Sequence, residues 1–99
     1  WNMETGQVKR TLTGHTNSVL SLAINNDNEL ISGSYDYKIK IWNMETGQLK
    51  NTLTHNNRVR SLVINKDNND LISGDAIGRI SIWKKILTKI NNHISESRI

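Results

Sequence analysis

Cysteine, proline and phenylalanine are all missing from these 99 residues. Without cysteine there is no disulfide framework, no zinc-thiolate site and no thiol nucleophile. The length allows one small domain, which excludes a multidomain enzyme within the chain. No apolar run approaches the roughly 20 residues that span a bilayer, and no signal-peptide pattern is present. Net charge is scarce in the body. Residues 1–83 carry nine Lys/Arg against eight Asp/Glu, a net of +1, whereas residues 84–99 carry four against one, a net of +3. The overall +4 therefore comes mostly from the tail, and a dedicated nucleic-acid surface would need a basic body. None of the fourteen asparagines lies in an Asn-X-Ser/Thr sequon. With no cysteine, this points to an intracellular, cytoplasmic setting and to no membrane contact. The chain opens on Trp1 rather than Met, and the expectation is a segment of a longer protein.

What the chain does hold is a repeat. Residues 1–13 and 42–54 agree at eleven of thirteen positions, and Trp1, Trp42 and Trp83 are each 41 residues apart. Val19, Leu22, Ile24 and Asp27 match Val59, Leu62, Ile64 and Asp67 at an offset of 40, because Gly14 has no counterpart. An extra residue near Asn68-Asn69-Asp70 restores 41, and Leu30-Ile31-Ser32-Gly33 then matches Leu71-Ile72-Ser73-Gly74.

Each period divides into four short strands. In the first these are Ser18–Ile24, Glu29–Ser34, Lys38–Asn43 and Gln48–Thr54, separated by the polar turns Asn25-Asn26-Asp27-Asn28, Tyr35-Asp36-Tyr37 and Glu45-Thr46-Gly47. The thirteen isoleucines suit pleated strands. Ile39 and Ile41 alternate with Lys38 and Lys40 at period two. Apolar residues on both faces of Val19–Ile24 predict a strand between two layers. Four antiparallel strands per 41 residues, stacked face to face, describe propeller blades.

The run Leu12-Thr13-Gly14-His15 with Val19 four residues after the His, and the run Ser32-Gly33-Ser34-Tyr35-Asp36-Tyr37-Lys38-Ile39-Lys40-Ile41-Trp42, resemble the two halves of a WD repeat. The resemblance covers residues 1–83. Asn43 stands where the family has the Asp of its name, Thr54-His55 lacks the Gly, and Ile77 takes the place of Asp36. It implies an all-β fold: two four-stranded antiparallel blades of a WD-repeat β-propeller, an incomplete ring. Residues 1–17 would end a preceding blade and form the Gly-His loop, 18–54 and 55–91 would be the two blades, and 92–99 a tail or the stub of a further blade. Ile86–Asn91 reads as a last fourth strand with Ile94–Ile99 as that stub. The other reading is a frayed basic tail.

His15, Ser32 or Ser34, and Asp36 are the residue types of a hydrolytic triad, but no oxyanion hole or cleft is signalled. The resemblance instead implies a structural hydrogen-bond network of His15, Ser32, Asp36 and Trp42, with period two missing its Asp at Ile77. His15, His55 and His93 recur once per repeat, so they would be rotated apart and would not converge on a metal. Gly33 and Gly74 read as packing and turn glycines. No catalytic residue, metal ligand or cofactor is expected. The resemblance places Thr16, Asn17, Ser18, Tyr35 and Tyr37, with Asn57, Arg58 and Ala76, on the rim where partners dock. Tyr35 and Arg58 lead as contact residues, then Tyr37, Ser18 and Asn57. The expected function is a non-catalytic scaffold for other proteins or peptides, which needs further blades in cis or self-association. The alternatives are a regulatory segment of a larger enzyme (a kinase, a ubiquitin-ligase adaptor or an ATPase) and a nucleic-acid contact through the basic tail.

Overall fold

The computed structural model describes residues 6–87 and 92–97, and side chains for residues 6–84. Trp1 and the expected strand end at 88–91 lie outside the described residues. The strands are β1 (Val19–Ile24), β2 (Glu29–Ser34), β3 (Lys38–Asn43), β4 (Leu49–Thr54), β5 (Val59–Asn65), β6 (Asp70–Asp75), β7 (Ile80–Leu87) and β8 (Asn92–Ser97). They form two sheets of four, ordered β1-β2-β3-β4 and β5-β6-β7-β8, with antiparallel pairing throughout. The repeat extends to irregularities: the register shift between Val19 and Ser21 recurs between Val59 and Ser61.

The end of the chain departs from expectation. Ile86 and Leu87 continue β7, and the fourth strand of the second sheet is Asn92–Ser97, pairing Leu87 with Asn92 and Ile82 with Ser97. The cause is local. After Trp42 the first repeat has the turn Asn43-Met44-Glu45-Thr46-Gly47, in which Asn43 Oδ1 accepts from Glu45 and Thr46 N–H. The second repeat has Lys84-Lys85-Ile86-Leu87 there, with no turn residue to stop the strand.

Side chains alternate across each strand, so each sheet has two faces. One face of the first sheet carries Ile31, Ile39, Ile41 and Leu53; the facing side of the second carries Leu62, Ile64, Leu71 and Trp83. Together with Val59 these residues form the buried core. The opposite faces are open in part: Ser32 and Trp42 on that of the first sheet are buried, but its first strand is not. Val19, Leu20, Leu22 and Ile24 of β1 are exposed, Leu22 by 61%, so β1 does not lie between two layers among the described residues. The corresponding open face of the second sheet exposes Val63 and Ile80, the latter by 76%.

Asparagine turns stitch the sheets at one edge. Asn26 N–H donates to Asn69 Oδ1 at 2.7 Å, Asn26 Nδ2 to Lys66 O at 2.8 Å, and Asn69 Nδ2 to Asp27 Oδ2 at 3.1 Å. Asn28 and Asn69 take left-handed backbone, φ 62° and 65°, which asparagine tolerates better than most residues.

Candidate functional site

At the edge opposite the asparagine turns, the loop before each first strand meets the turn between the second and third. In the first sheet four side chains from this region form one chain of hydrogen bonds. Trp42 Nε1–H donates to Ser32 Oγ at 2.9 Å, and Ser32 Oγ lies 2.6 Å from His15 Nε2. His15 Nδ1 lies 2.8 Å from Asp36 Oδ2. A carboxylate needs a donor opposite it, so Nδ1 carries the proton and Nε2 accepts from the serine hydroxyl. Asp36 also accepts from Thr16 N–H at 3.0 Å and Lys38 N–H at 2.9 Å. Burial alone would raise the Asp36 carboxyl. The hydrogen bonds from His15, Thr16 and Lys38 outweigh it, joined by the charge of His15 when that ring is protonated, and hold the group below its ordinary value.

The order Asp-His-Ser is that of a hydrolytic triad, yet the hydroxyl is sealed. Ser32 is buried and its lone pair is occupied by the indole of Trp42. A nucleophile must reach its substrate. This arrangement suits holding the third strand to the loop before the first, since a buried polar group is stable only when paired.

The second sheet repeats the tryptophan, serine and histidine of the arrangement but not its hydrogen-bonded carboxylate. Trp83 Nε1–H donates to Ser73 Oγ at 2.9 Å, and Ser73 Oγ lies 2.7 Å from His55 Nε2. Ile77, aligned with Asp36, is exposed. The carboxylate nearest His55 is that of Asp75, two residues earlier; its Oδ2 lies 3.7 Å from His55 Nδ1, beyond hydrogen-bond distance, and has no hydrogen-bond partner among the described residues. Asp75 takes the place of Ser34, whose Oγ accepts from Asp36 N–H at 3.0 Å; Asp75 Oδ1 accepts from Ile77 N–H at 3.1 Å and Arg79 N–H at 3.0 Å. Burial pushes this carboxyl up as well, and the Arg79 and Ile77 amides with the charges of His55 and Arg79 bring it below its ordinary value. The sequence signal for Asp75 was its standing as the single acid of that turn. His15 and His55 are each committed to their own sheet's serine.

The rim residues divide. The Arg58 guanidinium lies over the Tyr35 ring, 4.3 Å from its centroid, and so joins the two sheets. Tyr37 is exposed and held at φ 72°. Asn57 is half-buried and its Oδ1 accepts from Arg58 N–H at 2.8 Å. Ser18 O accepts from Tyr35 N–H at 2.9 Å, and Ala76 N–H donates to Arg58 O at 3.0 Å. Asn17, with Oδ1 accepting from Ser18 N–H at 2.7 Å, and Asn57 therefore shape the loops, while Tyr35, Tyr37 and Arg58 present the surface.

The family model of the WD domain, G-beta repeat, matches residues 6–43 and 47–84. The chain belongs to the WD-repeat family. Its two sheets are two blades of a WD-repeat propeller, and they do not close a ring. Among solved structures the WD40 β-propeller domain of Doa1 is similar at 28% identity and TM-score 0.78, over 82% of this chain and 27% of that one. The computationally designed Ika4 protein is similar at 33% identity and TM-score 0.73, over 85% of this chain and 51% of that one. U3-55K is similar at 29% identity and TM-score 0.71, over 76% of this chain and 25% of that one. The chain thus spans about a quarter to a half of the structures it matches. No curated protein sequence matches it. WD-repeat propellers are typically non-catalytic scaffolds for protein interactions.

Proposed function

We propose that these two blades hold a protein or peptide partner on the rim formed by the loops before β1 and β5 and the turns after β2 and β6, without catalysis. One observation carries the reading: Tyr35 of the first blade and Arg58 of the second stack on one another at 4.3 Å. Aromatic and arginine side chains are the commonest interface anchors, and this pair makes one surface out of two blades. Tyr37 adds a second aromatic beside it. The open apolar faces at either end of the pair call for covering by further blades in cis or by other copies of the chain.

The test is site-specific photo-crosslinking. A photoreactive residue replacing Tyr37 on this rim should form adducts with peptides selected on the chain, and one replacing Asp67 on the asparagine edge should not. Adducts from the Asp67 position alone would move the binding surface to the other edge.

A further inference from the structure

The surface charge of the rim is of one sign, whereas the opposite edge is mixed, with Arg10 and Lys66 exposed there beside the acids. On the rim, Arg58, Arg60 and Arg79 are exposed and Lys38 is half-exposed. The carboxylates there, Asp36 and Asp75, have side chains 4% and 0% exposed and are turned inward to His15 and His55. The exposed acids among the described residues, Asp27, Glu45 and Asp67, all lie in turns at the opposite edge. The rim's carboxylates are thus turned inward from its surface; Arg79 acts on Asp75, and Arg58 faces no carboxylate among the described residues.

Arg58 is the best placed of these. Its guanidinium carbon lies 4.3 Å from the centroid of the Tyr35 ring, and among the described residues the guanidinium has no hydrogen-bond or ion-pair partner. A guanidinium resting on a ring face leaves its N–H donors unpaired, and such a fork grips a carboxylate with two parallel bonds. Pre-ordering by the tyrosine lowers the side-chain entropy lost on binding. Arg79 stands three residues after Ala76, and Ala76 N–H bonds to Arg58 O.

Resting on the rim reading above, we infer that the partner segment is acidic: an extended peptide carrying two or more Asp or Glu side chains, one of them seated on Arg58 above Tyr35. A nucleic acid fits less well. Residues 1–83 have a net charge of only +1, whereas binding a phosphate backbone draws on many cations along a stripe.

The experiment measures the full chain against three fluorescein-labelled probes: a Glu/Ser peptide with four glutamates, its Gln/Ser counterpart, and a short oligothymidylate of equal charge. The glutamate peptide should bind at least about ten-fold tighter than the glutamine peptide, and Arg58→Ala should remove about ten-fold or more of its affinity. Arg58→Lys, which keeps the charge but not the fork, should recover only part. Lys66→Gln on the opposite edge should change little. Circular dichroism checks that each variant folds, and should Arg58→Ala fail, Arg58→Lys and Arg79→Gln answer the same question. Equal binding of the two peptides, lost with Tyr35→Ala, overturns the acidic partner and leaves the rim reading standing. Peptide binding that no rim variant alters overturns both. Tighter binding of the oligothymidylate, or no binding of the glutamate peptide, overturns the inference.

Discussion

Val59 of the second blade occupies the space that a side chain on Gly33 of the first would need. A β-carbon at Gly33 would lie 2.5 Å from Val59 Cγ1 and 2.8 Å from Ser21 Oγ. The repeat-equivalent Gly74 is freer, because its β-carbon would meet only Ser61 Oγ, at 2.9 Å. A hydroxyl rotates away; a packed valine cannot. Gly33→Ala should therefore cost about 1–3 kcal/mol through overpacking, and Gly74→Ala distinctly less. Urea midpoints of the two variants at constant m-value would measure the difference, and equal losses would contradict the blade contact.

The Asp36 carboxylate anchors the first network, and its depressed pKa fixes the sign of its pH dependence. The folded value lies below the unfolded one, about 3.9. Its contribution is thus complete above the unfolded value and is lost as pH falls through the folded one. Asp36→Ala should strand a buried histidine donor at a cost of about 1–3 kcal/mol near neutral pH. It should also flatten the acid limb of stability over the pH range below the unfolded value. Ile77→Ala, at an exposed turn, should do neither. Thermal melts across that pH range would show it, and an unchanged acid limb in Asp36→Ala would contradict the network's role.

Much of this was legible in the sequence, and the misses have physical causes. The 41-residue period gave β2 and β3 to the residue, because alternating Ile39 and Ile41 and the flanking turns leave the register little freedom. Asp75 near His55 was missed because matching by offset looks only at position 77, whereas this carboxylate approaches the histidine from two residues earlier without bonding to it. Leu22 and Ile24 read as doubly covered since their apolarity says that they want a neighbour, not that one is there. The inter-blade asparagine bonds were invisible, since they join turns 40 or more residues apart.

Tyr37 sits at φ 72° where the second repeat has Gly78 at φ 90°. Left-handed backbone costs a non-glycine residue about 1–2 kcal/mol, so this tyrosine is held against its preference, a pattern that clusters at functional sites. Tyr37→Gly should raise the unfolding midpoint while weakening capture of a rim-bound peptide. Denaturation and binding read on the same variant separate the two effects. Lower stability or unweakened binding would remove Tyr37 from the binding surface.

The open faces bear on assembly. Leu22, Ile24, Val63 and Ile80 are exposed together with their neighbours, and apolar faces of this kind drive association. The 99-residue chain by itself should fold as an oligomer that covers these faces. Light scattering that finds a folded, reversibly melting monomer at high concentration would contradict this.

The most direct measurement of the central claim is a hydrogen-exchange footprint of the chain with and without a peptide selected on it. The account predicts added protection at residues 16–18, 35–38, 57–60 and 76–79, around Tyr35 and Arg58. It predicts none at the asparagine turns 25–28 and 65–69. Protection confined to those turns, or to the open face of β1, would contradict the rim as the binding surface.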